Sequence, residues 1–335
     1  MRLVWSAWVL LLAMECACAA DSTTDTLSMD FEGGESVVED AATQTGRFDG
    51  QPARRRTADG PLAPSGAARL GPPQVQFESG NPSQRRALIV VDPDHPGNHV
   101  LEFEVREANV QLPAGRGGAK ARVQMNVYGN RGVREVYQSV RVRLGDGFDA
   151  LVDAPERFDW LTLSEWWNDA GWTGEALPFR ITVDLSNRGT GGERGLYLDV
   201  KATAKVDGGQ AWSAHVWTQR MTGPALPLGQ WLRLETYILE GRADTGRFVM
   251  FVTLGDGARR RAIDVTGATH HPGQTAPDGI AQFNPVKLYT SRAVVEAARR
   301  GRARLSVLWD DLTILACGRA LDGEPSACAK AAKLQ

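Results

Sequence analysis

From residue 75 onward, apolar and polar residues alternate along the chain. The run 134–144, REVYQSVRVRL, puts Val136, Val140, Val142 and Leu144 on one face. Glu135, Tyr137, Ser139, Arg141 and Arg143 take the other. The run 231–240 sets Leu232, Leu234 and Ile238 against Trp231, Arg233, Glu235 and Tyr237. A period of two marks a strand with one dry and one wet face. The same signature, bounded by Gly, Pro, Asn or Asp, predicts strands over 87–92, 99–105, 121–128, 160–167, 179–185, 195–205, 212–221, 247–254, 260–265, 286–289 and 304–315, with a first strand at 27–33. One stretch reads as a helix: Ser291 caps RAVVEAARR, and Gly301 ends it. Many strands and a single short late helix predict an all-β fold, a two-sheet antiparallel sandwich of jelly-roll type.

The alternation is interrupted over 38–73, which is rich in Gly, Pro, Ala and Arg and contains Arg54-Arg55-Arg56. That composition predicts a long loop within a domain spanning 27–316. Residues 1–20 read as a secretory signal: Arg2, an apolar stretch over 4–14, then Ala17-Cys18-Ala19 as a small-residue cleavage site. Residues 21–26 read as disordered and 317–335 as a C-terminal tail. The expected destination is periplasmic or secreted. No other apolar run reaches the roughly 18 residues a membrane helix needs. With 38 basic and 40 acidic residues, the near-neutral balance gives no case for a nucleic-acid partner. Removing the signal leaves Cys317 and Cys328, an even pair in an exported chain, and a disulfide is expected between them. A monomer is expected.

Chemistry concentrates in 160–181, WLTLSEWWNDAGWTGEALPFRI, which holds four of the ten tryptophans together with Glu165. Indole faces beside a carboxylate suit a sugar ring, whose apolar face stacks while the acid serves hydroxyls. A concave sheet presenting polar and aromatic groups at period two makes a glycan cleft. Its candidates are Tyr137, Arg141 and Arg143 on one strand, Glu165 and Trp167 on a second, His215, Trp217 and Gln219 on a third, and Glu235 and Tyr237 on a fourth. Trp172 and His271 lie in loops that border such a cleft. For β-elimination on a polyuronate, Arg141 and Gln219 would neutralise the carboxylate, and His215 and Tyr237 would move the protons. For glycoside hydrolysis, Glu165 and Glu235 would flank the bond, about 5 Å apart for retention or wider for inversion. A third reading is a lectin-like module that binds a glycan without turnover. Elimination is the favoured reading.

Three features resemble the concanavalin A-like jelly rolls, a superfamily of lectin modules, glucanases and polysaccharide lyases. They are Phe31-Glu32-Gly33 with the closing WDDLTI of 309–314, the hairpin over 229–257, and the order of long strands with one late helix. The resemblance implies a carbohydrate ligand. It also implies a structural calcium ion held by Glu32 and Asp311 on neighbouring strands. The family-16 E-x-D-x-x-E and the alginate-lyase R-x-E-x-R patterns do not occur in the chain.

Overall fold

The computed structural model describes residues 24–334, apart from 33, 35, 51–53, 58–68, 79–81, 109–118, 159, 175, 206–211, 213, 256, 276, 278, 302–303 and 318–323. The signal-like segment 1–20 lies outside the described residues.

Two antiparallel sheets face each other. The nine-stranded sheet runs in the order Arg260–Thr266, Arg247–Leu254, Trp231–Leu239, Glu135–Leu144, Leu305–Cys317, Thr24–Met29, Arg54–Thr57. His99–Val105 also pairs with Leu305–Cys317 and carries Arg85–Val91 on its far side. The ten-stranded sheet runs Ala214–Arg220, Arg194–Ala204, Phe179–Arg188, Leu161–Asn168, Gln282–Asn284, Lys120–Tyr128, Pro73–Phe77, Thr45–Asp49, Ser36–Asp40. Lys287–Ser291 fills the same gap as Gln282–Asn284, between Leu161–Asn168 and Lys120–Tyr128. The inward positions of both sheets form one core that includes Val123, Met125, Val140, Val142, Leu163, Trp166, Ile181, Leu234, Phe248 and Ile314. Apolar burial on this scale is the main stabilising term. The jelly-roll sandwich read from the alternation is the fold that forms.

Four details differ from the expectation. The first strand is Thr24–Met29, so 24–26 are ordered. It stops before Phe31, whose φ of 60° breaks the extended run. Within 38–73 the chain forms strands Thr45–Asp49 and Arg54–Thr57 and most of Ser36–Asp40, where a single long loop is expected. The alternation there is short and interrupted by a tight turn, in which Asp40 accepts from the amide of Ala42 at 2.9 Å. Three short helices, Gly147–Asp153, Ala170–Thr173 and Ala327–Ala331, join the expected Arg292–Arg300. Each is too short to show a helical period on its own. Ser291 does cap its helix, accepting from Val294 N at 3.4 Å.

The tail is bound to the domain. Cys317 and Cys328 form the expected disulfide, 11 residues apart. It draws the helix Ala327–Ala331 onto the outer face of the nine-stranded sheet, over Tyr137, Tyr237, Val249 and Phe251. Among the described residues no helix is long and apolar enough to cross a membrane.

Candidate functional site

The outward positions of the ten-stranded sheet gather polar and aromatic residues from five adjacent strands. Strand Lys120–Tyr128 presents Lys120, Arg122, Gln124 and Asn126, because its alternate residues Ala121, Val123, Met125 and Val127 are in the core. Lys287 is paired with Gln124, and Tyr289 with Arg122. Glu165 is paired with Asn284 on one side and Thr182 on the other, and Trp167 with Gln282 and Arg180. Gln76 stands beside Gln124.

The floor of this face is a buried hydrogen-bond network. Gln124 Nε2 donates to Asn126 Oδ1 at 2.6 Å and to Gln76 Oε1 at 3.1 Å. Asn284 Nδ2 donates to Asn126 Oδ1 at 2.6 Å, and Trp167 Nε1 donates to Asn284 Oδ1 at 2.9 Å. Lys287 Nζ donates to Glu165 Oε2, and Arg180 Nη1 reaches Glu165 Oε1 at 3.4 Å. Burial pushes the Glu165 carboxyl up, but the Lys287 ammonium and the Arg180 guanidinium outweigh it and hold the group below its usual range. Burial pulls Lys287 down, and Glu165 only partly restores it. Among the described residues Gln124 Oε1 is a buried acceptor with no donor.

Above this floor stands Tyr289, half-buried, with three cations around its ring. Lys287 Nζ lies 5.0 Å from the ring centroid, the Arg122 guanidinium carbon 5.7 Å and Lys120 Nζ 5.9 Å. Trp160 meets the same ring edge-on at 5.1 Å. Burial pushes the phenol up to about 12, with Arg122 acting in the opposite direction. Further along the face, Trp212 lies under Arg180 at 4.6 Å and Lys205 at 4.8 Å.

The expected residues divide between the two outer surfaces. Glu165 and Trp167 lie on the face just described. His215 is exposed near its edge. A bulge between Ala202 and Thr203 breaks the alternation opposite 214–220, so His215, Trp217 and Gln219 do not share a face. Trp217 turns to the core side, where its indole N–H donates to Ala268 O at 2.8 Å and its ring meets Phe248 at 5.7 Å. Gln219 follows it opposite the core residue Val200 and is exposed at the sheet edge. His271 is buried, its Nδ1 accepting from Gly273 N at 3.0 Å. Its proton is therefore on Nε2, directed at Lys205 O at 3.1 Å, and the ring has a structural role. Trp172 sits in helix Ala170–Thr173, and its side chain lies outside the described residues.

Arg141, Arg143, Tyr137, Glu235 and Tyr237 are on the other side of the molecule, the outward face of the nine-stranded sheet. The four-residue lyase set therefore does not meet: the core separates Arg141 and Tyr237 from His215, and Gln219 lies at the sheet edge on the opposite side of its strand from His215. Glu165 and Glu235 are divided in the same way and cannot flank one glycosidic bond. Tyr137 and Tyr237 serve the tail. Tyr137 OH donates to Glu235 Oε1 at 2.7 Å and Tyr237 OH to Glu135 Oε1 at 2.8 Å. Ser326 donates to Glu135, and Arg259 joins Glu235 to the Ala332 carbonyl.

Glu32 and Asp311 do not fit a calcium ion. Glu32 Oε1 accepts from His99 N at 3.0 Å. Asp311 faces the Arg233 and Arg141 guanidiniums at 3.5 and 3.8 Å, whereas a calcium ion takes oxygen ligands and is repelled by such cations. Among the described residues no group of three or more His, Cys, Asp or Glu is placed to hold a metal.

The sequence pattern alone does not single out Lys287, Tyr289, Arg122, Gln124 and Asn126. The signal that points to them is the polar alternation 120, 122, 124, 126 in one predicted strand, joined by Lys287 and Tyr289 in another.

No family model matches the chain, and no curated protein matches it. Among solved structures, alginate lyase Aly36B is similar with a TM-score of 0.43 and 12% identity, covering 86% of this chain and 96% of that one. The endo-β-1,4-glucuronan lyase of Trichoderma reesei gives 0.40 and 16%, covering 71% and 89%. The exoplasmic/lumenal domain of VIP36, in its Ca²⁺- and mannose-bound form, gives 0.40 and 11%, covering 76% and 86%. At these values the likeness is one of general layout and assigns no residue.

Proposed function

We propose that the chain is an exported carbohydrate-active enzyme that cleaves an acidic polysaccharide by β-elimination on the outer face of its ten-stranded sheet. The observation that carries this reading is Tyr289, a half-buried phenol ringed by Lys120, Arg122 and Lys287. Elimination next to a uronate carboxylate needs cations that withdraw the carboxylate's charge, so that the C5 proton becomes acidic. Lys120 and Arg122, the latter also paired with Glu78 at 3.1 Å, are assigned that role. The Tyr289 oxygen, as phenolate, takes the C5 proton, the C5–H electron pair becomes the C4=C5 double bond, the C4–O bond breaks, and the phenol so formed returns the proton to the leaving oxygen. Tyr289 is assigned the proton transfer. The buried Glu165–Lys287 pair holds the floor and sets the field around the phenol.

Tyr289→Phe keeps the ring, its packing and its neighbours, and removes only the hydroxyl. Expected is loss of the ultraviolet absorbance of unsaturated product on polyuronates, with binding retained. Turnover that survives Tyr289→Phe would remove the assignment.

A further inference from the structure

The outward face of the nine-stranded sheet holds a groove of about 750 Å³ that the elimination site does not use. Asp94, His95, Arg141, Gln230, Arg233 and Asp311 line it. The ion pairs along it are long. Arg143 Nε stands 3.3 Å from Asp94, Arg233 Nη2 3.5 Å from Asp311, and Arg141 Nη1 3.8 Å from Asp311. A charge-assisted hydrogen bond closes to about 2.7–2.9 Å. The pair Arg259–Glu235, on the same sheet under the tail, does so at 2.7 Å. The guanidiniums around the groove are nonetheless fixed in orientation. The Arg141 guanidinium carbon stands 4.7 Å from the Trp231 ring centroid, and Arg141 donates to the buried Asp310 at 3.1 Å. Arg233 donates to Ser139 Oγ at 3.0 Å.

Asp311 is aimed into this space by a backbone irregularity. The register of Leu305–Cys317 against Glu135–Leu144 shifts between Asp310 and Thr313, and Asp311 takes a φ of 50°. A non-glycine residue in the left-handed region, at a bulge, is strained, and bulges re-aim side chains beside functional sites. Unlike the buried Asp310, Asp311 is exposed.

We infer that this groove is a second glycan-binding site, one that holds a hydroxyl-rich sugar chain without cleaving it. Oriented guanidinium donors interleaved with an exposed carboxylate acceptor and the Gln230 amide match vicinal sugar hydroxyls, each of which both donates and accepts. The balance of Arg and Asp favours hydroxyls over a carboxylate as the recognised group. The inference rests on the reading that the chain's ligand is a polysaccharide. The groove faces away from Tyr289, so a chain held there tethers the enzyme to polymer and leaves the elimination face open.

The test is affinity electrophoresis of the full chain carrying Tyr289→Phe, through gels containing polyglucuronate or a neutral β-glucan. Adding Arg233→Ala should weaken retardation roughly fivefold to tenfold, the loss of one or two hydrogen bonds. Thr253 also lines the groove, and Thr253→Tyr, which fills it and removes no charge, should do the same. With Tyr289 intact, Arg233→Ala should raise KM for the polymer several-fold and leave kcat on short oligosaccharides unchanged. Unaltered retardation in both groove variants would overturn the inference. Retardation that falls in the groove variants while the parent chain shows no turnover on any polymer would uphold the groove and reject the elimination reading alone.

Discussion

At the scale of single residues, the Glu165–Lys287 pair shows how the candidate site is held. Both side chains are almost fully buried, and each is the other's charge partner. Removing one partner of a buried pair leaves an uncompensated charge, which costs about 3–5 kcal/mol. Glu165→Gln should therefore lower unfolding stability by about that amount in urea titration, and Glu165→Leu combined with Lys287→Met should recover most of it. Because the folded carboxyl is held below its usual value, its stabilisation is present above the pKa of an unfolded glutamate. It is lost as pH falls through the folded value. The wild type should lose stability over that acidic range more steeply than Glu165→Gln, as thermal melts across pH will show. Glu165 was visible in the sequence because it sits among tryptophans. Its cation was not, because Lys287 is 122 residues away and meets it only through the insertion of Lys287–Ser291 between two other strands.

At the scale of elements, alternation was a reliable guide to strands and an incomplete guide to which residues meet. The runs 134–144 and 231–240 orient as their period implies, with Tyr137 opposite Tyr237 and Arg141 opposite Arg233. The run 212–221 does not, because one bulge at Ala202/Thr203 moves Trp217 to the core side of the sheet while His215 stays on the other. A bulge is a property of the paired strands, and neither strand's own sequence announces it. The C-terminal helix is similar: Cys317 and Cys328 predict a link, but not that the link would cover Tyr137 and Tyr237. Replacing both cysteines by serine should destabilise the chain by about 2–3 kcal/mol, the loop-closure value for a short loop. It should also raise proteolysis within 318–335 while leaving turnover unchanged. A loss of turnover in that variant would place the tail within the functional machinery.

At the scale of the whole molecule, the deciding fact is that a sandwich has two outer faces. Polar alternation marks a wet face without saying on which side of the core it falls. Residues of four strands that read as one cleft therefore belong to two surfaces. The division makes its own prediction: Glu235→Gln and Tyr237→Phe should lower stability through the tail and leave kcat within about twofold of wild type. One comparison decides whether elimination takes place around Tyr289. Wild type and Tyr289→Phe are incubated with uronic-acid polymers and neutral glucans, and ultraviolet absorbance and reducing ends are followed together. Both signals should rise for wild type on a uronic-acid polymer, and both should vanish in Tyr289→Phe. Reducing ends without absorbance, or equal signals from the two proteins, would rule out elimination at Tyr289.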